Sequence, residues 1–239
     1  MPVGFDKMSF NRDLRMYLPF REGVGAITHD YAKPHREVDL VNAPAWTTIA
    51  SGLPVMAFDG VNQYLECDTL DTVDLDYTSE DYSIIGWVNW TDTGSSEIII
   101  ARYEVDDTPP VTFGTGWETY FYNNAGVMYL SQRHHHWGGA TDRTSAYSSG
   151  WTPGTPWLLG ISRSGGYPIH YRNGVPLTTT CNGGLLDPLT CARDLVIGTR
   201  FTKDSNWFSG WIGNLGVIGV ALSARDHMNI FQLNKHWFN

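Results

Sequence analysis

Long apolar runs are missing from this chain of 239 residues: no window approaches the ~20 consecutive apolar residues of a membrane span, so insertion in a bilayer is not expected. Basic residues are scarce, with 16 Lys and Arg against 25 Asp and Glu, a formal net charge of -9. A phosphate-binding surface needs clustered Lys and Arg, and here they are scattered, which argues against nucleic acid as a partner. Cysteine is both rare and odd in number, at 3. A disulfide framework normally shows an even, denser set. Cys181 and Cys191 flank a loop whose ends could meet, but reduced thiols are the favoured reading, with Cys67 a small semi-buried side chain. The opening MPVGFDKMSFNRD has neither the basic n-region nor the apolar h-region of a secretory signal. Either no signal was ever present or export follows another route. There is also no Ser/Gly/Pro linker and no repeat of fixed period, so the length points to one large domain.

What is present is a strand-and-turn composition. Hydrophobic residues make up 42% and aromatics 13%, enough for a sizeable core, and 25 Gly and 12 Pro punctuate it. Residues 1–13 have no clear period and read as an N-terminal arm; residues 14–239 read as the domain. Met16, Leu18 and Phe20 alternate with Arg15, Tyr17 and Pro19, a half-buried strand pattern. Asp59-Gly60 supplies the positive φ of a tight turn between two further strands. Tyr82 to Trp90 is apolar on both faces, as in a central strand covered on each side. Glu97 to Tyr103 is β-branched. Trp117 to Tyr122 and Val127 to Leu130 form a predicted hairpin around Asn123-Asn124-Ala125-Gly126. Trp157 to Arg163 pairs with Pro168 to Arg172, and Asn173-Gly174 is the strongest hairpin signal in the chain. Leu195 to Thr199 and Trp211 to Ala221 complete the strands. One helix is expected at the end: Ser223 and Asp226 resemble a capping box, and Ile230, Leu233 and Trp237 share a face. The pattern predicts an all-β, two-sheet antiparallel sandwich with a short C-terminal helix.

Several segments resemble the laminin-G-like jelly rolls of the concanavalin A-like lectin and glucanase superfamily. Leu18-Pro19-Phe20 with Glu22-Gly23-Val24-Gly25 is similar to the opening strand and glycine turn, and Leu53 to Tyr64, with Phe58-Asp59-Gly60, to the most recognisable motif. Tyr82 to Val88 is similar to the central strand. Trp157 to Ile161 and Tyr171-Arg172-Asn173-Gly174-Val175 resemble the Y-x-N/D-G hairpin. Ile197-Gly198, Phe208-Ser209-Gly210 and Ala221-Leu222-Ser223 resemble the closing strands. The likeness covers about residues 14–233 in the family's order. It implies a concanavalin A-like jelly roll, a scaffold that carries lectins, hydrolases and structural modules. Two departures bear on calcium, which such domains can hold. Gly213-Asn214 stands where an Asp is common, and His29-Asp30-Tyr31-Ala32-Lys33-Pro34-His35 replaces the usual turn with a segment whose lysine opposes a cation. No cofactor is therefore expected, and calcium has no clear ligand set.

Candidate chemistry is sparse. Glycoside hydrolysis needs two facing carboxylates, about 5–5.5 or 6.5–9.5 Å apart. The glucanases of this fold place theirs as Glu-x-Asp-x-Glu on one strand face; here Glu97 and Glu118 each lack an acidic neighbour at i+2. The acidic stretch 66–81, with Glu66, Asp68, Asp71, Asp74, Asp76, Glu80 and Asp81, contains no basic residue. It reads as a solvated loop sooner than a calcium site. His134-His135-His136 invites a metal, but in a strand 134 and 136 face away from 135, and a surface loop is the favoured reading. The segment 160–166 has its glycines at the wrong spacing for a nucleophile elbow. The aromatics Trp117, Tyr120, Tyr122, Trp137, Tyr147 and Trp151 are candidates for glycan or partner contact, because sugars lay C–H faces on such rings. Core or interface roles weigh more heavily for residues of this kind.

The function expected from these observations is non-enzymatic. The leading reading is a structural protein on the surface of an assembled particle, such as a virion decoration or head-fibre protein, with shell or capsid subunits as partners and a trimer as the guessed oligomer. Phe5, Met8, Phe10, Trp237 and Phe238, apolar residues near the two ends, are the candidate assembly contacts. The alternative is a carbohydrate-binding lectin or adhesin module meeting cell-surface glycans outside the cell, and a glucanase-like hydrolase is the disfavoured third.

Overall fold

The computed structural model describes residues 10–106, 113–136, 143–181 and 183–238. Phe5, Met8 and Trp137 lie outside them. After a 3-10 turn at Asn11–Asp13 the strands run β1 (Leu14–Leu18), β2 (Ile27–His29), β3 (Glu37–Val41), β4 (Ala45–Thr48), β5 (Pro54–Asp59) and β6 (Tyr64–Cys67). A 3-10 segment, Thr69–Leu75, leads to β7 (Tyr82–Trp90), β8 (Glu97–Asp106), β9 (Phe113–Asn124), β10 (Val127–His135) and β11 (Arg143–Ser149). Then come β12 (Trp157–Ser164), β13 (Tyr167–Arg172), β14 (Val175–Pro176), β15 (Thr180–Cys181), β16 (Leu195–Ile197), β17 (Ser209–Ile218) and the helix α1 (Ala224–Phe238).

These strands form two antiparallel sheets. One has the order β14-β13-β12-β7-β17-β5-β4 with β1 also on β17; the other runs β15-β11-β10-β9-β8-β16-β6-β3-β2. The core lies between them. From the first sheet come Met16, Met56, Phe58, Ile84, Val88, Trp90 and Ile161; from the second come Val38, Leu65, Ile99, Trp117, Phe121 and Leu130. Strand β7 is buried along almost its whole length because both of its faces are covered. Its Ile85 and Trp87 point the other way, into a second apolar layer with Tyr17, Leu158, Ile230 and Phe238, between the sheet and α1. The second sheet has no helix over its outer face among the described residues.

Turn chemistry sets the topology. Asn124 pairs with Val127, so Ala125-Gly126 forms the β9–β10 turn, both at positive φ (51 and 85), as a two-residue hairpin loop requires. Asn173-Gly174 joins β13 to β14, with Arg172 opposite Val175. The Asp59-Gly60 turn does something different from a hairpin: it carries the chain from one sheet to the other. Asp59 Oδ1 accepts the N–H groups of Val61 (2.8 Å) and Asn62 (3.2 Å). Gly60 has φ +73, and a Cβ there would stand 2.7 Å from Ser209 Cβ, so only glycine fits.

Asn214 sits at a register shift between Gly213 and Gly216 of β17, at φ 48. Asn tolerates this left-handed conformation, and its Oδ1 accepts the Tyr17 hydroxyl at 3.2 Å.

The capping box forms reciprocally: Ser223 N–H donates to Asp226 Oδ2 (3.0 Å) and Asp226 N–H to Ser223 Oγ (3.2 Å). The buried face of α1 differs from the expected one. It comprises His227, Ile230, Asn234 and Phe238, while Leu233 is exposed. Two polar side chains are what turn it. His227 stacks on Tyr171 with centroids 3.8 Å apart and shares a 2.8 Å hydrogen bond through Nε2 with Ser162 Oγ. Asn234 satisfies its amide N–H on Ile230 O at 3.0 Å. The ends of the chain follow suit. Phe10 and Phe238 are buried in this same layer and Trp237 is half-buried against it. Phe10 and Phe238 are thus intramolecular core residues, with Trp237 packed on their layer.

The acidic stretch is not simply solvated either; cations from elsewhere in the chain fold back onto it. The fully buried guanidinium of Arg36 bonds Asp30 Oδ2 (2.6 Å), the carbonyls of Asp71 and Arg15 (both 2.5 Å) and the Asp74 carboxylate. Arg102 pairs with Asp76 at 3.0 Å, and Lys203 pairs with Glu66. Asp68 caps Leu70 N–H at 2.7 Å. The three cysteines are free thiols, and burial pushes the Cys67 thiol up to about 12.

Candidate functional site

Alternation along β9 divides the candidate aromatics. Trp117, Thr119 and Phe121 point into the sandwich; Glu118, Tyr120 and Tyr122 point out. Trp117 is fully buried, its indole N–H donating to Leu75 O at 2.8 Å. Trp151 is buried against Phe121, with ring centroids 5.6 Å apart. Both are core side chains, closed to any ligand. The core weighting of such residues therefore holds for these two tryptophans.

Tyr120, Tyr122 and Tyr147 do come together, on the outer face of the second sheet, and Tyr129 joins them. The two-residue turn fixes the β9–β10 register so that Tyr122 lies directly opposite Tyr129. Their rings stack at 5.1 Å and 16°. Tyr120 adjoins Tyr122 at 5.8 Å, and Tyr147 meets Tyr129 edge-on at 5.6 Å. Cross-strand aromatic pairs of this kind stabilise a sheet by ~0.2–1 kcal/mol each. Here they also build a continuous aromatic row. Tyr122, Tyr129 and Tyr147 are part-exposed, whereas Tyr120 is buried at the inner end.

At that inner end the row meets a polar cavity of about 250 Å³, whose lining includes Tyr103, Glu118, Tyr120, Arg133, His135, Arg143 and Arg200. Register again explains the grouping, since Glu118 lies opposite Arg133 on β10 and Ala101 on β8. Glu118 Oε1 accepts from Arg133 Nη1 (3.0 Å) and pairs with His135 Nε2 (3.1 Å). Burial alone would raise its carboxyl, but the hydrogen bond from His135 and the charge of Arg133 outweigh it and hold the group below the usual carboxylate range. Arg133 also donates from Nε to Ser145 Oγ at 3.0 Å, and its guanidinium lies 4.7 Å from the Tyr120 ring centroid. Tyr103 stacks on His135 at 4.8 Å and 11°. Burial raises the Tyr103 phenol and pushes that of Tyr120 up to about 12, so both keep their protons and remain donors at neutral pH.

The histidine run sits within β10 up to His135, not on a surface loop, and His134 and His135 are both buried. They face opposite ways as alternation demands. His134 points into the core, where Nε2 lies 2.6 Å from the Tyr82 hydroxyl and Nδ1 2.8 Å from Leu186 O. No group of three or more His, Cys, Asp or Glu that could hold a metal ion occurs among the described residues.

Arg133, Tyr103 and Tyr129 escaped the sequence reading, and His135 was read only as part of a surface loop, although for the β10 residues the signal was available. Counting outward from Ala125-Gly126 pairs 122 with 129 and 118 with 133. Arg200 arrives through a loop after β16 and has no such local signal.

Chemically, this face offers flat apolar rings, phenol donors and guanidinium groups beside one carboxylate. Among the described residues, Glu118 is the only carboxylate lining the cavity. It is an ion-paired acceptor held ionised, which is the opposite of a general acid.

No family model matches the chain, and no curated protein matches it. Solved structures do. The receptor-binding domain of botulinum neurotoxin D matches with a TM-score of 0.67 and 14% identity over 94% of this chain and 53% of that one. The serotype D ligand-binding domain in complex with N-acetylneuraminic acid gives 0.68 and 13% over 94% and 52%. The serotype G binding domain gives 0.68 and 13% over 92% and 51%. The chain spans about half the length of these structures. At such identity the likeness establishes the fold.

Proposed function

We propose that this chain is a non-enzymatic, carbohydrate-binding, lectin-like module of the laminin-G-like jelly-roll type, presented at a surface or outside the cell. The observation that carries the reading is the Tyr120–Tyr122–Tyr129–Tyr147 row running into the Arg133–Glu118–His135 cavity on the sheet face that no helix covers. Rings of this kind take the C–H faces of sugars, and the adjoining donors and acceptors take hydroxyls. One of the similar structures supports it by what it holds, N-acetylneuraminic acid, whereas a serotype DC binding domain is in complex with a protein, rat synaptotagmin II. Those ligands belong to longer proteins.

The particle-surface reading, with its shell-protein partner and trimer, rested on a single domain without a signal peptide or catalytic set and, in part, on apolar ends in need of a cover. Phe10 and Phe238 find that cover within the chain. A glycan array with the intact chain, repeated with Tyr122→Ala and Tyr129→Ala, tests the lectin reading. Hits that weaken in both variants support it, and an array without hits from the folded protein ends it.

A further inference from the structure

Only one side chain in the first half of α1 is buried, and it is polar. Between Ser223 and Asn229 that residue is His227; Leu222 anchors the chain before this stretch, and Ile230 and Phe238 anchor the helix after it. Counting hydrogens fixes the state of the imidazole. Ser83 Oγ donates its single hydrogen to Val220 O (2.9 Å) and accepts from Leu222 N–H (2.8 Å). Ser162 Oγ, 2.8 Å away, must therefore donate to Ser83, which leaves it only an acceptor for His227 Nε2, also at 2.8 Å. His227 thus carries its proton on Nε2, and Nδ1 is bare. Among the described residues Nδ1 has no hydrogen-bond partner. It looks onto Gly160, where even a Cβ would stand 2.5 Å away.

A second proton on this ring needs an acceptor at Nδ1, and the elements packed on the ring supply none. Strand β12 brings Gly160 and Ser162, with Ser83 of β7 behind them; β13 brings the Tyr171 ring, stacked at 3.8 Å. The face of Tyr171 attracts a cation but accepts nothing in the plane of the imidazole. Strand β14, which also touches α1, contains only Val175 and Pro176. Asp226 on α1 itself favours a charged ring, but its carboxylate is engaged by Ser223, and burial outweighs it, holding the docked ring down at about 3.

We propose that residues 223–229 form an acid-released latch: protonation of His227 at Nδ1 lifts this stretch off the first sheet between fixed points at Leu222 and Ile230, while the last turn of α1 stays packed. Lifting also uncovers the Asn173-Gly174 turn, over which the helix backbone closes so tightly that a Cβ on Gly174 would stand 2.7 Å from Met228 Cα. A lifted imidazole has the ordinary value of about 6.5. Above it the docked form keeps its full advantage. As pH falls below it, opening gains about tenfold per pH unit until the docked ring itself titrates. The tyrosine face belongs to the other sheet, so the latch stands or falls apart from the lectin reading.

Hydrogen exchange of the full chain at pH 7.5 and pH 5.0, corrected for the intrinsic rate, tests this. The amides of residues 226–229 should lose about 30-fold in protection between the two, while β7 and the last turn of α1 keep theirs. His227→Gln still offers Ser162 a donor and does not titrate, so it should remove the loss. Equal protection at both pH values, a loss undiminished in His227→Gln, or an equal fall in β7 overturns the proposal. Should His227→Gln fail to fold, ring NMR of the natural chain decides. A bare Nδ1 at pH 7.5 and a titration well below 6.5 support the latch; a proton on Nδ1, or titration near 6.5 with residues 226–229 still protected, overturns it.

Discussion

Trp87 and Phe238 stack face to face, their ring centroids 4.6 Å apart and their planes within 10° of parallel. The contact joins the central strand of the first sheet to the last turn of the C-terminal helix, so the chain's end is part of its own core. Phe238→Ala is expected to destabilise the fold by ~3–5 kcal/mol, the usual cost of emptying a buried aromatic site. Urea denaturation followed by tryptophan fluorescence measures it. A loss below about 1 kcal/mol would mean the stack is incidental.

The two classes of aromatic on β9 should separate cleanly. Trp117→Ala removes a fully buried indole and its hydrogen bond to Leu75, and a stability loss of ~3–5 kcal/mol is expected. Tyr122→Ala, at a part-exposed position, should cost about 1 kcal/mol or less while reducing glycan binding. Paired melting and binding curves decide the matter. A Tyr122 variant that loses as much stability as the Trp117 variant contradicts the division into core and contact face.

Glu97 gives the protein a signed pH dependence. Burial pushes its carboxyl up to about 7, although it accepts N–H bonds from Ser209 and Thr93, each at 3.0 Å. Between its unfolded value near 4.5 and that folded value, the unfolded chain releases a proton that the folded chain keeps. Stability therefore falls as pH rises through this window, by roughly 3 kcal/mol for this one group. Glu97→Gln should abolish that component. Melting temperatures at pH 5 and pH 8 for both proteins give the comparison, and identical slopes would refute it.

Three buried histidines act in the opposite sense. Burial depresses His134, His170 and His227 to about 3. Above the ordinary value near 6.5 their stabilisation is fully present. As pH falls from there toward 3, the unfolded chain binds protons that the folded chain refuses, and stability is lost. Denaturant titrations at pH 7, 5 and 4 should show a steep decline, shallower in His170→Gln. A flat profile across this range counts against the three histidines being neutral in the core.

Arg36 occupies a place among oxygens that a metal ion would otherwise suit. Arg36→Met leaves the buried Asp30 carboxylate without its cation and should cost ~3–5 kcal/mol, part of which the double variant Arg36→Met/Asp30→Asn recovers. Because the guanidinium already bridges Asp30 and Asp74, calcium or EDTA should leave the wild-type melting temperature unchanged. A calcium-dependent rise of several degrees would show that an ion does bind.

The architecture was legible where local rules act alone. Period-two alternation, the Ala125-Gly126 and Asn173-Gly174 turns and the Ser223–Asp226 cap all formed as the residues dictate. Contacts distant in sequence were less visible. Nothing local announces that Arg36 and Arg102 will fold onto an acidic segment some thirty residues away. Nothing in the helix announces that His227 and Asn234, being polar, will define its buried face. The candidate site was half legible. Tyr120, Tyr122 and Tyr147 stood out by residue type, but separating them from Trp117 and Trp151 required knowing which side of each strand faces the second sheet. Arg133 and His135 become visible only when the hairpin register is carried across to the neighbouring strand.

Phe10 and Phe238 pack in one layer on the outer side of the first sheet, and this fixes how the molecule can be held. A tether joined to the end of α1 starts from that side, and the tyrosine face is on the opposite side. Immobilised through the end of α1, the domain should stand on its helix and turn the tyrosine face outward. In a row of such domains the faces would be free to engage repeated sugars together, so that weak single contacts add up to avidity.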